Sequence, residues 1–176
     1  MKVIAIAAVT AGGKTTVVNK IKETFPNTKS LHFDDYNFEG VVENFYKWVN
    51  DGADYNVWNL SPLLRDIRKL TASDECDYLL LDYPFAYRNN MIKEYIDYAI
   101  FIDTPLDIAL ARGVLRDMEN STGSEIRKWL YDYLNYARIA YMQMQKDIKS
   151  SSDYVVDGES EIDHIVDTII NQIKSI

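Results

Sequence analysis

Short apolar runs alternate along the chain with longer segments in which apolar residues recur at helical spacing. The runs predict strands, because strands buried on both faces of a sheet consist mostly of apolar residues. We predict five strands, at residues 3–8, 29–33, 78–82, 98–102 and 153–156. Strands that alternate with helices are typical of a parallel sheet with helices on both faces. The predicted fold class is therefore α/β, with three layers around a five-stranded parallel sheet.

The predicted helices fill the segments between these strands and follow the last one. Two of them begin where a serine or threonine precedes a proline, at Ser61 and Thr104, because proline fits the first turn of a helix. In the final segment, Ile162, Ile165 and Ile169 share one helix face. We predict helices at residues 14–24, 38–50, 61–70, 104–118, 124–149 and 161–173.

A glycine-rich turn joins the first predicted strand to the first predicted helix. Residues 8–16 read Ala-Val-Thr-Ala-Gly-Gly-Lys-Thr-Thr. They depart from the phosphate-binding pattern G-x-x-x-x-G-K-[ST] only at Ala8, which takes the first glycine position. A chance turn is a poor explanation, since the strand and the helix that the motif requires flank the loop. The methyl group of Ala8 disfavours a positive φ, so we expect either a negative φ there or a slightly different fit of the loop.

This loop predicts a binding site for ATP and Mg²⁺. Its backbone N–H groups and the positive end of the following helix can hold phosphate oxygens. Lys14 is expected at the β and γ phosphates, and the Thr15 hydroxyl is expected to be a Mg²⁺ ligand. The predicted nucleotide-binding residues are Ala11, Gly12, Gly13, Lys14, Thr15 and Thr16.

Acidic residues stand at the carboxyl ends of three predicted strands, where parallel sheets bind their ligands: Asp34 and Asp35, Asp82, and Asp103. Asp34 and Asp35 follow the second strand, and a carboxylate there can accept a proton from an acceptor hydroxyl. Asp82 closes an apolar strand, which is the form of a motif that holds Mg²⁺ directly or through water. The alternatives are a helix cap for the Asp pair and an ordinary strand end for Asp82.

Basic and aromatic residues complete the set of candidate site residues. Arg112 and Arg116 share a helix face and can cover the phosphates, although a solvated basic face explains either arginine equally well. The segment between the second and third strands is rich in aromatic residues, among them Tyr36, which can stack on a ligand ring or pack small helices. Asn56 and Asn59 can hydrogen-bond sugar hydroxyls or serve as turn residues.

Length, charge and cysteine content narrow the function classes. The 176 residues suit one domain, and the net charge of −8 argues against a nucleic-acid backbone as partner. Cys76 is the one cysteine, so no internal disulfide can form, which fits a reducing cytoplasm. We expect no signal peptide, and no apolar run approaches the roughly 20 residues that span a membrane. We therefore expect a cytoplasmic protein whose partners are a nucleotide and a small-molecule acceptor, with no nucleic acid and no membrane.

The chain resembles the uridine kinase and nicotinamide riboside kinase group of P-loop kinases, which includes phosphoribulokinase-like relatives. The resemblance covers nearly the whole chain and implies a P-loop NTPase fold. It also implies an ATP-dependent transfer of a phosphoryl group to a hydroxyl, commonly the 5′-hydroxyl of a nucleoside. Beyond the phosphate loop, it rests on Phe-Asp-Asp-Tyr at 33–36, Leu-Leu-Leu-Asp-Tyr-Pro-Phe at 79–85, the Asp-Thr-Pro run at 100–112, Leu-Arg-Asp at 115–117 and Asp-Tyr-Val-Val-Asp-Gly at 153–158.

The resemblance implies a role for several positions. The first acid of the pair is the base in that group, which implies Asp34, and the lid of the group begins with arginines at the positions of Arg112 and Arg116. Tyr83 stands where the group has a glycine, so that side of the acceptor pocket is expected to be narrower or differently shaped. The expected catalytic residues are Asp34, Lys14, Arg112 and Arg116, and the expected acceptor-binding residues are Asp34, Tyr36, Asn56 and Tyr83.

We expect one P-loop kinase domain over residues 1–176, with a small helical acceptor-binding lobe at about 37–72 and a lid at about 117–128. Gly113 replaces a second arginine of the group, and residues 119–124 lack the basic side chains of a uridine kinase lid. These departures weaken the case for uridine itself. The expected function is that of a nucleoside-type kinase. The alternatives are a kinase of a non-nucleoside alcohol, such as a sugar or vitamin precursor, and a non-catalytic ATP-binding sensor module.

Overall fold

The computed structural model describes residues 1–40, 42–73 and 75–176. Within them, five strands form one sheet, in the spatial order β2-β3-β1-β4-β5, and all neighbouring strands are parallel. The strands are β1 (Lys2–Ala7), β2 (Thr28–His32), β3 (Tyr78–Asp82), β4 (Tyr98–Asp103) and β5 (Tyr154–Asp157). The predicted α/β class with a five-stranded parallel sheet is confirmed.

The central strand β1 is buried on both faces because nearly all of its residues are apolar. Ala5 and Ala7 contribute to the core on one face of the sheet, and Ile4 and Ile6 contribute to the core on the other. The register places Ile6 beside Asp82 of β3, which in turn lies beside His32 of β2. These three residues stand at the carboxyl edge, close to where the phosphate loop leaves β1.

Helices cover both faces of this sheet. On the Ile4 face, α1 and α7 supply buried valine and isoleucine side chains, and α3 and α6 supply apolar side chains on the Ala5 face. A π-helical segment, Tyr133–Ala137, joins α5 to α6. The helices are α1 (Lys14–Thr24), α2 (Phe45–Asn50), α3 (Ser61–Ser73), α4 (Leu106–Asp117), α5 (Gly123–Asp132), α6 (Arg138–Ser151) and α7 (Ile162–Ser175).

The predicted helix at 38–50 is wrong over its first half, because only Phe45–Asn50 is helical. Gly40 has a φ of 79°, and a Cβ at this position would lie 1.9 Å from the Val57 carbonyl oxygen. The helix starts only after Asn44, whose side chain accepts a hydrogen bond from the Lys47 N–H at 2.9 Å. Val41 also falls in the predicted helix and lies outside the described residues.

The other predicted helices and strands are present, with ends shifted by no more than three residues. Residues 124–149, predicted as one long helix, form α5, the π-helical segment and α6 in succession. In the part of the chain that the structure describes, none of the helices combines the length and the apolar character needed to cross a bilayer.

Candidate active site

The phosphate loop connects β1 to α1 through two residues with left-handed backbone conformation. Ala11 has a φ of 57° and Gly13 a φ of 99°. Gly12 donates its N–H to the Val9 carbonyl at 2.9 Å, and a Cβ at Gly12 would lie 2.9 Å from the Ala8 Cβ. Ala8 is not among the described residues with a positive φ, so of the two outcomes expected there the structure shows the negative φ, and the methyl group strains no backbone. The loop keeps its turn with alanine in the first position.

Asp82 lies at the end of β3, beside the phosphate loop, and is only 3% exposed. Its Oδ2 accepts a hydrogen bond from the Thr15 hydroxyl at 2.5 Å, and its Oδ1 lies 3.8 Å from Lys14 Nζ. A buried carboxylate needs partners of this kind, because an unpaired buried charge is very unfavourable. Since Thr15 donates its proton to Asp82, lone pairs of the Thr15 oxygen remain available to a cation. Lys14, Thr15 and Asp82 therefore form one contiguous cluster.

One cleft of about 740 Å³ opens over Lys14 and Thr15, a volume within the range of small-molecule sites. Asp82 itself is not among the described residues that line the cleft, and it reaches the cleft through its bond with Thr15. The cleft brings the phosphate loop together with residues from the turn after β2, from α4 and α6, and from the segment after β5. The predicted site residues that line it are Ala11, Gly12, Gly13, Lys14, Thr15, Thr16, Asp34, Arg112 and Arg116.

Aromatic rings form part of the cleft wall. Trp58 and Phe85 have ring centroids 4.7 Å apart, and Phe33 and Phe85 are 5.4 Å apart. The Trp48 indole N–H donates to the Asp54 carbonyl at 2.9 Å, so this ring is held in place. The rings pack on one another, which gives the wall a fixed shape on which a flat ligand ring can stack.

Asp34 and Arg116 face the same space. Asp34 belongs to the 3-10 turn Phe33–Asp35 after β2, and it lines the cleft, whereas Asp35 is not among the described lining residues. The Arg116 guanidinium donates two hydrogen bonds to the Asp117 carboxylate, at 2.6 and 2.9 Å. This pairing raises the pKa of Arg116 and lowers the pKa of Asp117, and the charge of Asp34 adds to the rise at Arg116.

Similarity to known proteins agrees with this geometry, although no protein-family model matches the chain. The chain is 24% identical to a uridine kinase of Borrelia hermsii (strain HS1 / DAH) over 179 residues, or 89% of this chain and 86% of the relative. Its structure resembles the deoxyadenosine kinase from M. mycoides, with a TM-score of 0.52 and 17% identity over 99% of this chain and 100% of the other. It also resembles a gluconokinase from Sinorhizobium meliloti 1021, with a TM-score of 0.55 and 15% identity over 94% and 87% of the two chains. The chain has a P-loop NTPase fold.

The relatives also confirm the resemblance to the uridine kinase group that the motifs predict. The fold accounts for the arrangement of the cleft. It places the phosphate loop after the central strand, with Asp82 at the end of β3 and Asp34 in the turn after β2 at the same edge of the sheet.

Three of the four predicted acceptor-binding residues, Tyr36, Asn56 and Tyr83, are not among the described residues that line the cleft. The Tyr36 hydroxyl donates to Asp66 at 2.9 Å, and burial is the main cause that raises the pKa of Tyr36. The Asn56 side chain donates to Asp54 at 2.7 Å and accepts from the Asn90 N–H at 2.8 Å. Both side chains therefore hold the segments between β2 and β4 together.

Tyr83, the third such residue, is completely buried and does not line the cleft. Its ring lies 6.1 Å from Phe33 and 5.6 Å from Phe85, both of which do. Among the described residues, its hydroxyl is the one fully buried side-chain polar atom with no hydrogen-bond partner, and burial raises its pKa. Tyr83 therefore shapes the aromatic wall from behind.

Thr104, which the sequence predicts only as the start of a helix, contacts the phosphate loop in the structure. Its buried hydroxyl donates to the Gly12 carbonyl at 2.9 Å and so holds the phosphate loop. A Cβ at Gly158 would lie 2.1 Å from the Thr104 hydroxyl oxygen, so only glycine fits where the chain leaves β5 and passes Thr104. The segment at 158–162, which the sequence does not predict as part of the site, lines the cleft.

The residues of the site fit a metal ion that arrives with a nucleotide. Among the described residues, no group of three or more His, Cys, Asp or Glu side chains could hold a metal ion. Thr15 and Asp82 supply the oxygen ligands that Mg²⁺ prefers, and Mg²⁺ at kinase sites commonly takes one or two protein ligands together with phosphate oxygens.

Proposed function

We propose that this chain is an ATP-dependent phosphotransferase that moves the γ-phosphoryl group of ATP to a hydroxyl of a small molecule, with a nucleoside as the favoured acceptor class. The observation that carries the proposal is the cleft in which the phosphate loop and Asp34 meet. A module that only senses ATP needs no carboxylate there, so Asp34 favours transfer over sensing. The uridine kinase and deoxyadenosine kinase names of similar proteins support the nucleoside class.

On the ATP side, we propose that the N–H groups of residues 11–16 surround the β and γ phosphates, helped by the positive end of α1. Lys14 places its ammonium group on the same phosphates. Thr15 and Asp82 would hold Mg²⁺, which when bound neutralises charge on the β and γ oxygens. The hydrogen bond from Thr15 to Asp82 orients both oxygen atoms for that task.

On the acceptor side, Asp34 is proposed to hold the acceptor hydroxyl and to accept its proton as the new P–O bond forms. Arg112 and Arg116 would stabilise the charge on the moving phosphoryl group. Arg116 is already oriented by Asp117, at the start of the segment 117–128 proposed as a lid. A lid that closes over the site would exclude water and so suppress hydrolysis of ATP.

The aromatic wall supports an acceptor that carries a ring, because Phe33, Trp58 and Phe85 line the cleft and aromatic rings pack favourably against one another. The second candidate is a sugar acceptor, which the similarity to a gluconokinase favours. We place the protein in the cytoplasm as part of the same proposal, since ATP and a reduced Cys76 both suit that compartment.

The test is ADP release from ATP·Mg²⁺ in the presence of nucleosides, nicotinamide riboside, sugars and small alcohols. We expect one acceptor class to raise the rate clearly above ATP alone. Asp34→Asn should lower that rate by about 10² to 10⁴, the usual effect of losing a general base. Asp35→Asn is the matched control, since its carboxylate does not line the cleft, and it should stay near the wild-type rate.

A panel with no stimulating acceptor, measured on protein that binds ATP, would contradict the proposal and favour the sensor. If Asp35→Asn abolished the rate and Asp34→Asn did not, the role assigned to Asp34 would be wrong. A sugar that outperforms every nucleoside would replace the favoured acceptor class with the second candidate.

A further inference from the structure

Asp82 has a neighbour that the proposed mechanism does not use. His32, the last residue of β2, lies directly beside Asp82 in the sheet. Its Nδ1 is 3.1 Å from Asp82 Oδ2, and its Nε2 is 3.1 Å from the Ser30 hydroxyl oxygen. A chain of three side chains, Ser30, His32 and Asp82, therefore runs from the edge strand to the phosphate-loop cluster.

The chemistry of the three groups fixes the direction of these hydrogen bonds. An ionised carboxylate can only accept, so the proton in the contact with Asp82 belongs to His32 Nδ1. In the neutral ring, Nε2 is then the acceptor, and the Ser30 hydroxyl donates to it. The Asp82 carboxylate thereby sets the tautomer of the ring, and the bond from Ser30 holds the ring in the orientation that faces Asp82.

These side chains do not form a nucleophilic site, although their order matches that of serine hydrolases. Neither Ser30 nor His32 is among the described residues that line the cleft. Ser30 therefore cannot reach a substrate bound in that cleft. The hydrogen bonds from Ser30 to His32 and from His32 to Asp82 act only on the Asp82 carboxylate.

The consequence for Asp82 is that its two oxygens become different. Oδ2 accepts from both Thr15, at 2.5 Å, and His32, at 3.1 Å, so its lone pairs are occupied. Oδ1 is left on the side of Lys14 Nζ, at 3.8 Å. Without His32, the buried carboxylate would have one fixed bond instead of two and could rotate about its Cβ–Cγ bond.

We propose that His32 is a positioning residue for the metal–nucleotide site: held by Ser30, it fixes the Asp82 carboxylate so that Asp82 and Thr15 can bind Mg²⁺ together with ATP. This inference rests on the nucleotide site of the proposed function. It follows the general rule that partners behind the ligating residues orient them and tune metal affinity.

The experiment compares two amide variants of His32 that place their donors differently. In His32→Asn the amide nitrogen can take the position of Nδ1 and still donate to Asp82. In His32→Gln it reaches the position of Nε2, so the bond to Asp82 is lost while polarity is kept. The affinity for a non-hydrolysable ATP analogue is measured by calorimetry with Mg²⁺ and again with a chelator, and the ratio of the two affinities is the readout.

We expect His32→Gln to lower this ratio by about tenfold, since residues that hydrogen-bond metal ligands typically change metal affinity by about that much or more. We expect the ratio for His32→Asn to stay close to that of the wild type. Ser30→Ala should lie between them. Lys29→Met is the matched control on the same strand, because it removes only an exposed ion pair with Glu75, and it should leave the ratio unchanged.

Equal ratios for the Asn and Gln variants would overturn the inference, since a purely structural histidine gives that result. So would a wild-type ratio in both variants. Wild-type protein that binds no ATP analogue, with or without Mg²⁺, would overturn the proposed function and this inference with it. Melting temperatures of all variants identify any that fail to fold, and Ser30→Ala then tests the same prediction without changing His32.

Discussion

At the scale of single residues, the buried polar side chains of this chain differ in whether they are paired. Asp82 and Thr104 are buried and hydrogen-bonded within the site, and Asn89 is buried with bonds to two backbone carbonyls. Tyr83 is the exception among the described residues, since its hydroxyl has no partner. A buried polar group without a partner lowers stability, so this position invites a direct measurement.

Tyr83→Phe should leave the free energy of unfolding unchanged or raise it, because an unpartnered buried hydroxyl costs about 1–3 kcal/mol. Tyr36→Phe is the matched control, and it should lose about 1 kcal/mol because that hydroxyl donates to Asp66. Urea denaturation of both variants measures the effect. A clear loss of stability in Tyr83→Phe would contradict the expectation and would show that the hydroxyl is paired in solution.

Thr104→Val should destabilise the phosphate loop, because it leaves the Gly12 carbonyl without its buried donor. We expect a loss of about 1–3 kcal/mol in the free energy of unfolding and weaker ATP binding. Thr104→Ser keeps the hydroxyl and should bind ATP nearly as wild type does in the same calorimetric titration. Equal affinities for the Val and Ser variants would show that this hydrogen bond does not support the loop.

At the scale of elements, the segment after α4 is anchored where α5 begins. A capping box begins α5: the Thr122 hydroxyl accepts from the Glu125 N–H, and the Glu125 carboxylate accepts from the Thr122 N–H at 2.7 Å. The Thr122 hydroxyl also donates to the Glu125 carboxylate at 2.7 Å, and this bond, followed by the one from the Thr122 N–H, lowers the pKa of Glu125. Trp129 of α5 lies near Gly113 of α4, whose added Cβ would be 3.6 Å from the indole, so the two helices approach closely there.

Thr122→Ala should reduce stability by about 1 kcal/mol, the typical effect of removing a helix N-cap. Because Thr122 lies within the segment proposed as the lid, we also expect a larger change in the KM for the acceptor than in ATP affinity. Ser121→Ala is the control, because Ser121 donates its backbone N–H to the Met118 carbonyl and its side chain has no hydrogen bond to another described residue. An unchanged melting temperature for Thr122→Ala would contradict the role of the cap.

At the scale of the whole molecule, several tyrosines link stability to alkaline pH. Burial is the largest cause that raises the pKa of Tyr36, Tyr55, Tyr83 and Tyr87 above the ordinary value of 10.0. The folded chain therefore keeps protons that the unfolded chain releases near that pH. Stability from these groups is complete below about pH 10 and is lost as the pH rises beyond it.

Urea denaturation at about pH 8 and about pH 11 should therefore show a lower free energy of unfolding at the higher pH. Tyrosinate absorbance, followed on the same samples, should rise in two steps, with the buried tyrosines ionising only as the protein unfolds. A single step near pH 10 in protein that stays folded would contradict this linkage.

The sequence was most informative where structure follows from local pattern. The continuous apolar runs of β1, β3 and β4 predict the sheet, because strands buried on both faces need apolar residues. The glycines of the phosphate loop predict the nucleotide end of the cleft, because a tight turn needs glycine. The contacts of Thr104 with Gly12 and of His32 with Asp82 join residues 92 and 50 positions apart. No local pattern encodes such pairs.

The acceptor side was less predictable for the same reason. Asn56 is a polar residue in an aromatic segment, which suits a ligand contact, yet its side chain bonds to Asp54 and Asn90. The helix at 38–50 failed because its apolar spacing continues through Gly40, whose backbone conformation depends on the approach of Val57. In both cases the conformation depends on contacts with other residues, which the local sequence pattern does not reveal.

The most direct test of the central claim is to look for the phosphorylated acceptor itself. The protein is incubated with ATP·Mg²⁺ and one nucleoside or sugar at a time, and the mixture is analysed by mass spectrometry, with Lys14→Ala in parallel. The account predicts one acceptor whose mass increases by one phosphoryl group, in step with ADP, and no such product with Lys14→Ala. Wild-type protein that binds ATP and phosphorylates no acceptor, or a Lys14→Ala variant that forms product at the wild-type rate, would contradict it.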